Sequence, residues 1–593
     1  MSDKLVFDLS NEIEGSPNVF VKKDWLNILD NQSGNYQANQ SVIDTSQLSN
    51  SNKYMSYREA YLLIPMVLTL GAAPAAGQTI TASYSNAGRS PDYAVGLKNW
   101  FGSIIHSFSL DLNGTTIIQQ TPFINMFNAF KLLTSFSQND VTTLGPTIGF
   151  YPDNPLTWTI ENAAGLSGGV AGVCNNTNRS AFSTVTGVAN DFSQGKGNEG
   201  FAIRQRYINY DPAGIPATST YGAILPAGNA ATLWKSYVYN RAAGGTPLVQ
   251  IAISGVVFLK HIHSFFQMTP LLKGVYMKMT LVLNQSNTQI NAVTAATATP
   301  NPATSIAFAG VSVPSGGVNP VMIASAVASQ GSAACFFAAD GTASTTPYYA
   351  NLSVGGRCLS TTLPSTQFVN SPLGQSIYLY VPAYTFNPIY EQAYLSSPIK
   401  SIKYTDLYQY QVLSVGASAN FNSLLTNGIS NIKSVLIIPF FSTTNNTAPA
   451  GSGGPAGLAG IPVYQSPFDP AGCGPTSPLC HFTNFNVVVS GQNAIYNTQR
   501  YAFEEWNNQL YGTNAVNGGE IDGLTSGLIN QLGWEMNYCY YYVNVSRMLP
   551  VEEQVPKSVQ IVGQNMSAIP VDLFCFIEYG VSVDLDILSG SRV

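Results

Sequence analysis

The stretch SFSLDLNGTTIIQQTPFINMFNAFKLL, residues 107–133, reads as strand, turn, strand and helix. Phe108, Leu110 and Leu112 alternate with Ser107, Ser109 and Asp111, the period of a half-buried strand. Asn113 and Gly114 supply a two-residue hairpin turn, because both tolerate positive φ. TTIIQQ returns as the partner strand. Thr121 is the expected helix N-cap, with Pro122 at the first helical position. Phe123, Met126, Phe127 and Phe130 then fall at helical spacing, which places a short amphipathic helix under the hairpin.

The same order of elements returns at 485–510, FNVVVSGQNAIYNTQRYAFEEWNNQL. Ser490 and Gly491 take the turn, Thr498 stands where Thr121 stood, and Phe503, Trp506 and Leu510 form the helical stripe. Without gaps Gly114 falls on Gly491, Ile118 on Ile495 and Thr121 on Thr498. A helix-then-strand unit follows each copy, at 261–284 and at 524–547. The chain therefore reads as one β architecture built twice.

Length agrees, since 593 residues exceed what a single core usually organises. Hydrophobic content is an ordinary 45%, but charged residues make up only 9%, far below the average of about 25%. Asp340 is the only formal charge between Ser286 and Arg357, and Lys433 the only one between Asp406 and Asp469. A neutral polar surface fits this composition. So does a surface largely covered by subunit contacts, which are poor in charge and rich in aromatics. A net charge of −6 excludes wrapping nucleic acid with a basic face. The opening MSDKLVFDLSNE lacks the apolar segment of a secretory leader. The longest apolar run, Tyr61 to Ala76, contains Pro65 and is too short to span a bilayer, so it reads as a buried strand. Seven scattered cysteines point to reduced thiols in an intracellular setting.

Residues 1–55 are polar and read as an extended N-terminal arm ordered by what it touches. Strands are expected at 57–72, 99–112, 115–120, 249–259, 275–284 and 376–384. Loop excursions at 137–248 and 287–374 interrupt them, and SSPIK at 396–400 marks the junction between halves. Strands resume at 402–415, 432–441, 485–489, 493–497, 536–547, 557–563 and 571–588, with a third excursion at 443–480. The expected fold class is all-β: two tandem jelly-roll β-sandwiches, at 56–395 and 396–593, with long loop insertions and few helices.

Several segments then resemble a known family. YMSYREAYLLIPMVL (54–68), LKNWFGSIIHSFSLDLNGTTIIQQTPFINMFNAFKLLTSFS (97–137) and FLKHIHSFFQMTPLLKGVYMKMTLVLN (258–284) are similar to the major capsid proteins of virophages, of the Sputnik type, and of polinton-like viruses. SIYLYVPAYTFNP (376–388) and NFNSLLTNGISNIKSVLIIP (420–439) carry the resemblance across the junction. It implies a structural protein of a small double-stranded DNA virus, not an enzyme. It further implies a homotrimer with a pseudo-hexagonal outline, tiled with neighbouring capsomers into an icosahedral shell. Penton and minor capsid proteins are the implied further partners, and an internal membrane is compatible with the same reading. The implied location is the virion, assembled in the host cytoplasm. On this reading the arm at 1–55 ties capsomers together, and its deletion leaves trimers intact.

The chemical motifs weigh little. Gly165, Ser167 and Gly169 fit GxSxG, but no strand precedes them as a nucleophile elbow requires. Gly195, Gly197 and Gly200 fit GxGxxG without a crossover unit. His261 and His263 cannot share a helical face, and Glu504 and Glu505 point apart. Cys473, Cys480 and His481 would hold zinc only with a fourth ligand from elsewhere. No catalytic residue, cofactor site or metal site is nominated. A glycan- or receptor-binding β-sandwich is the alternative function, and a glycosidase ranks below it because acidic residues are too sparse for a carboxylate pair.

Overall fold

The structure, a computed structural model, describes residues 18–48, 51–72, 95–153, 200, 204, 236–243, 246–292, 306–313, 317–323, 348–355, 375–442, 463–465, 480–496, 501–516, 527–536, 538–546, 555–567, 570–587 and 592. Eight framework strands build the first half. They are β1 (Phe20–Leu29), β2 (Gln40–Asp44), β3 (Tyr61–Ala72), β4 (Ile105–Leu112), β5 (Thr115–Thr121), β6 (Thr246–Phe258), β7 (Met277–Leu283) and β8 (Tyr378–Phe386). Eight more build the second: β9 (Ile399–Val415), β10 (Asn420–Ile429), β11 (Ile432–Phe441), β12 (Phe482–Val489), β13 (Gln492–Asn493), β14 (Tyr541–Asn544), β15 (Lys557–Asn565) and β16 (Val571–Asp586).

The pairing repeats without exception. In the first half the sheets run β1-β8-β3-β6 and β2-β7-β4-β5; in the second they run β9-β16-β11-β14 and β10-β15-β12-β13. Each strand of the second half thus sits where the strand eight places earlier sat, and each half is a jelly roll. Alternation decides which residues enter the cores. Leu62, Ile64, Met66 and Leu68 of β3 face Phe108, Leu110 and Leu112 of β4 and Met277, Met279 and Leu281 of β7, all buried in one cluster. The register sets Leu110 beside Met279 and Phe108 beside Leu281.

The hairpin equivalence holds at the backbone. Asn113 and Gly114 have φ of 47° and 83°, and Ser490 and Gly491 have 49° and 82°, values that suit two left-handed positions in succession. The expected helix start does not hold. Thr121 ends β5 and donates its hydroxyl to the carbonyl of Leu407 in the other half, at 3.0 Å. Phe123, at φ 58°, takes the cap position of α1 (Ile124–Ser135) instead. Thr498 lies outside the described residues. The second echo is also corrected. The helix near 261–268 leads into β7, a seventh strand, whereas Gln531–Met536 leads into β14, a sixth.

The extended arm is overturned from residue 20 onward. β1 pairs with β8 along its length and β2 with β7, while Ile28, Tyr36, Ile43 and Met55 are buried. These are the first two strands of the jelly roll, so deleting 1–55 removes framework. Their sparse apolar residues hid them, because an edge strand needs to bury little. The excursion at 287–374 likewise contributes strands Ser286–Ala292, Ile306–Ser312 and Tyr348–Val354, which extend the first sheet beyond β3. β13 is shorter than expected, since the Asn486 side chain bonds both the N–H and the carbonyl of Ile495 in place of a ladder. Arg204 fixes the end of another excursion. It donates to the carbonyls of Leu97 and Tyr151 and to Asp153 at 2.8 Å, with both charged side chains buried.

A Cβ on Gly114 or Gly491 meets nothing within 4 Å, so only the positive φ resists alanine there. Gly114→Ala and Gly491→Ala should each cost about 1 kcal/mol, read as shifts in urea midpoint. A clear inequality between them would break the equivalence of the two turns.

Candidate functional site

The residues that carry chemistry or contact gather at two places: a seam between the halves and an open sheet face. The seam is built by α1. Phe123, Phe127 and Phe130 line one side of it and meet Phe574 at 5.0 Å, Phe576 at 5.7 Å and Tyr540 at 5.0 Å, ring centre to ring centre. These partners lie on the outer face of the second sandwich. Tyr541, between Tyr540 and Tyr542 in sequence, points inward instead, onto Phe482 and Phe485 at 4.6 and 4.9 Å. Helix α1 of the first half therefore roofs the sheet β9-β16-β11-β14 of the second.

Polar contacts close the seam's edges. Lys131 Nζ reaches Glu578 Oε1 at 2.7 Å, and the other oxygen of Glu578 accepts from Ser434. Tyr404 donates to the carbonyl of Ile117 at 2.9 Å, Ser264 to that of Thr405 at 2.6 Å, and Tyr538 to that of Asp153 at 2.7 Å.

Three of the four histidines stand at this seam. His263 caps the helix Ser264–Met268: its Nδ1 accepts from the Phe265 N–H, so Nε2 carries the proton and faces Asp406 Oδ1 at 3.3 Å. Asp406 also accepts from Tyr579 OH at 3.2 Å. Ser264, His263 and Asp406 have the composition of a hydrolytic triad without its geometry, since Ser264 bonds Thr405 and His263 Nδ1 bonds backbone. His106 lies edge-on to Phe123 at 4.8 Å, and the buried Nδ1 atoms of His106 and His261 have no partner among the described residues. Burial holds both imidazoles down at about 4, aided at His261 by the Lys260 ammonium.

The remaining candidates do not form a centre. GxSxG at 165–169 and Cys473 lie outside the described residues, as does all of GxGxxG except Gly200. Cys480 is buried near Cys539, whose thiol donates to the Cys480 carbonyl at 3.3 Å and stands 3.8 Å from His481 Nδ1. Burial pushes the Cys539 thiol up to about 12, which suits its role as a donor to the Cys480 carbonyl. Among the described residues no group of three His, Cys, Asp or Glu side chains has metal-binding geometry. Glu505 accepts from Gln509 at 2.8 Å while Glu504 is exposed. No helix among the described residues is long and apolar enough to cross a membrane.

The second place was not foreseen. The outer face of β1-β8-β3-β6 occupies, in the first half, the position that α1 covers in the second. Tyr61 stacks on Tyr380 at 5.1 Å and touches Trp25 at 5.7 Å and Phe258 at 5.8 Å, one ring from each of the four strands. Trp25 is 50% exposed, and Val21 and Leu29 of the same strand are exposed as well. Among the described residues nothing pairs with the outer edge of β1. An unpaired edge beside exposed apolar residues is the kind of surface on which other chains can dock.

No protein-family model matches the chain, and no curated protein does. Among solved structures it is similar to the 3.5 Å cryo-EM structure of the Sputnik virophage, at 11% identity and TM-score 0.47, covering 97% of this chain and 89% of that one. It is also similar to the mavirus major capsid protein, at 10% identity and TM-score 0.40, covering 98% and 90%. A third is the Faustovirus major capsid protein, at 10% identity and TM-score 0.40, covering 96% and 91%.

Phe127→Ala should destabilise the chain by about 3–5 kcal/mol, as for other buried phenylalanines, seen as a lowered urea midpoint. The buried histidines give a pH dependence of known sign. Between the unfolded value of 6.5 and the folded value of about 4, the unfolded chain binds a proton that the folded chain does not. Stability therefore falls as pH drops through that window, by up to about 1.4 kcal/mol per pH unit for each histidine. His106→Leu should flatten the slope of urea midpoint against pH.

Proposed function

We propose that this chain is the major capsid subunit of a small double-stranded DNA virus, acting by geometry and contact. The observation that carries the reading is the mismatch between its two halves. Both jelly rolls have the same strand order, yet among the described residues only the second has its outer face roofed by a helix of the other half, α1. The helix equivalent to α1 is α2 (Phe503–Val516), which follows the second hairpin as α1 follows the first. Laid over the open face of another copy, it repeats the internal contact between chains. A head-to-tail contact of this kind closes into a ring when the rotation fits. Three copies give six jelly rolls in one ring, a homotrimer with a pseudo-hexagonal outline.

The two versions of the contact differ in chemistry. By the ungapped correspondence Phe127 becomes Glu504 and Phe130 becomes Asn507, so α2 offers polar groups to an aromatic face whose rim is mixed in charge, with Lys23 paired to Glu59 and with Arg58, Asp140 and Lys260 nearby. That composition suits a contact made between folded subunits. Neighbouring trimers, penton and minor capsid proteins complete the assembly we infer, in a virion put together in the host cytoplasm. The unit from residue 18 to 395 is taken as the first jelly roll and 396–593 as the second. A glycan-binding reading draws on the same open face, since the half-exposed Tyr61–Tyr380 stack would suit a sugar ring.

Light scattering with negative-stain images tests both readings. The expected species has three subunits and a hexagonal outline, and Trp25→Glu should reduce it to a monomer that still unfolds cooperatively in urea. A wild-type monomer that resists assembly and binds a defined glycan would overturn the capsid reading. Trimers that survive Trp25→Glu would move the contact elsewhere.

A further inference from the structure

The seam holds an open-sided cavity of about 260 Å³ between α1, the turn of chain at 260–267 and β9. Lys131, Lys260, His261 and His263 line it, and no carboxylate does. In a chain with 9% charged residues, two ammonium groups and two of four imidazoles around one cavity form a local concentration of N–H donors, although burial keeps His261 neutral and His263 faces Asp406. Lys131 is shared with Glu578. Lys260 is not balanced in this way: among the described residues it meets the Phe258 ring at 5.4 Å and no carboxylate. His261 stands beside it in a cage of Trp100, Phe136 and Phe258, with a buried Nδ1 that has no partner among the described residues. Gln267 donates to the Lys260 carbonyl and fixes the loop that carries both. A second cavity of about 680 Å³ adjoins the first, shares Lys260, His261, Gln267 and Ser135 with it, and adds Arg58 together with the carboxylates Glu59 and Asp140, so the anion belongs on the side of Lys260 and His261 that faces the first cavity.

The geometry points to a binding site for a small phosphate-bearing anion in this seam, held by Lys260 and His261 with Lys131 at its far wall. A tetrahedral oxyanion accepts from several donors at once, as this arrangement requires, and its charge offsets the Lys260 ammonium. The volume admits a pyrophosphate-sized group, and the adjoining cavity leaves room for a larger substituent. A bound anion would tie α1, the 260–267 segment and β9 together, and so lock the two jelly rolls to each other. This site lies within one chain, and it stands whether or not the chain forms trimers.

Isothermal titration calorimetry of the full chain at constant ionic strength tests it, with inorganic phosphate, pyrophosphate and adenosine triphosphate as separate titrants. One site per chain is expected, with pyrophosphate at least tenfold tighter than phosphate. Lys260→Gln should weaken pyrophosphate at least tenfold and His261→Gln measurably, with thermal melts confirming that both variants fold. Lys278→Gln, an exposed lysine on β7, should leave binding unchanged. Preference for adenosine triphosphate over pyrophosphate would identify a nucleotide, and equal affinity the bare phosphate group. Absence of heat at millimolar pyrophosphate, or equal loss in Lys260→Gln and Lys278→Gln, would overturn the site.

Discussion

A β-sandwich buries one face of each sheet and leaves the other to be covered or wetted, and this constraint organises the molecule. In the second half the sheet β9-β16-β11-β14 is apolar on both faces: Cys575 and Ile577 point inward while Phe574 and Phe576 point out, all fully buried. A sheet of that kind cannot stand alone in water, because each exposed phenylalanine forgoes about 1.5–3 kcal/mol of burial. Its outer face is completed chiefly by α1, which the first half supplies, with Tyr464 of the second half packed on Phe574 at 5.1 Å. The halves are thus unequal partners: the first lends a helix, and the second depends on it.

That dependence explains where the polar contacts sit. Thr121, Tyr404, Ser264 and Tyr538 all bond backbone carbonyls across the seam. Such bonds satisfy groups that burial would otherwise strand, and each side-chain donor also fixes register between elements hundreds of residues apart. Lys131 and Glu578 close one edge in the same way. The histidines are neutral by position. His106 and His261 are held uncharged by burial, which suits an apolar joint and makes it sensitive to acid.

Much of this was legible in the sequence, and the limits have physical causes. The hairpin was readable because a two-residue turn demands residues that accept positive φ, and few do. The strongly alternating strands β4, β7 and β16 were readable because each is paired on both sides and sends a regular row of side chains into a core. β1 and β2 were not, since an edge strand buries one side of a few residues and its remaining surface looks like a polar tail. Thr121 looked like a cap because capping is a local rule, whereas its partner, Leu407, is a long-range accident of the fold. The open aromatic face was spelled by single residues on four distant strands, Trp25, Tyr61, Phe258 and Tyr380, and only strand order brings them together.

The divergence of the two equivalent helices has its own logic. A contact within one chain forms during folding and never needs to be soluble apart, so α1 can present three phenylalanines. A contact between chains must leave each subunit soluble until it meets the next, so an aromatic stripe on both sides would favour indiscriminate association. In the proposed contact, setting polar Glu504 and Asn507 of α2 against an aromatic face would keep one partner wet. A duplicated fold can therefore make one permanent joint and one reversible joint from the same architecture, and the difference lies in a few side chains on one helical turn.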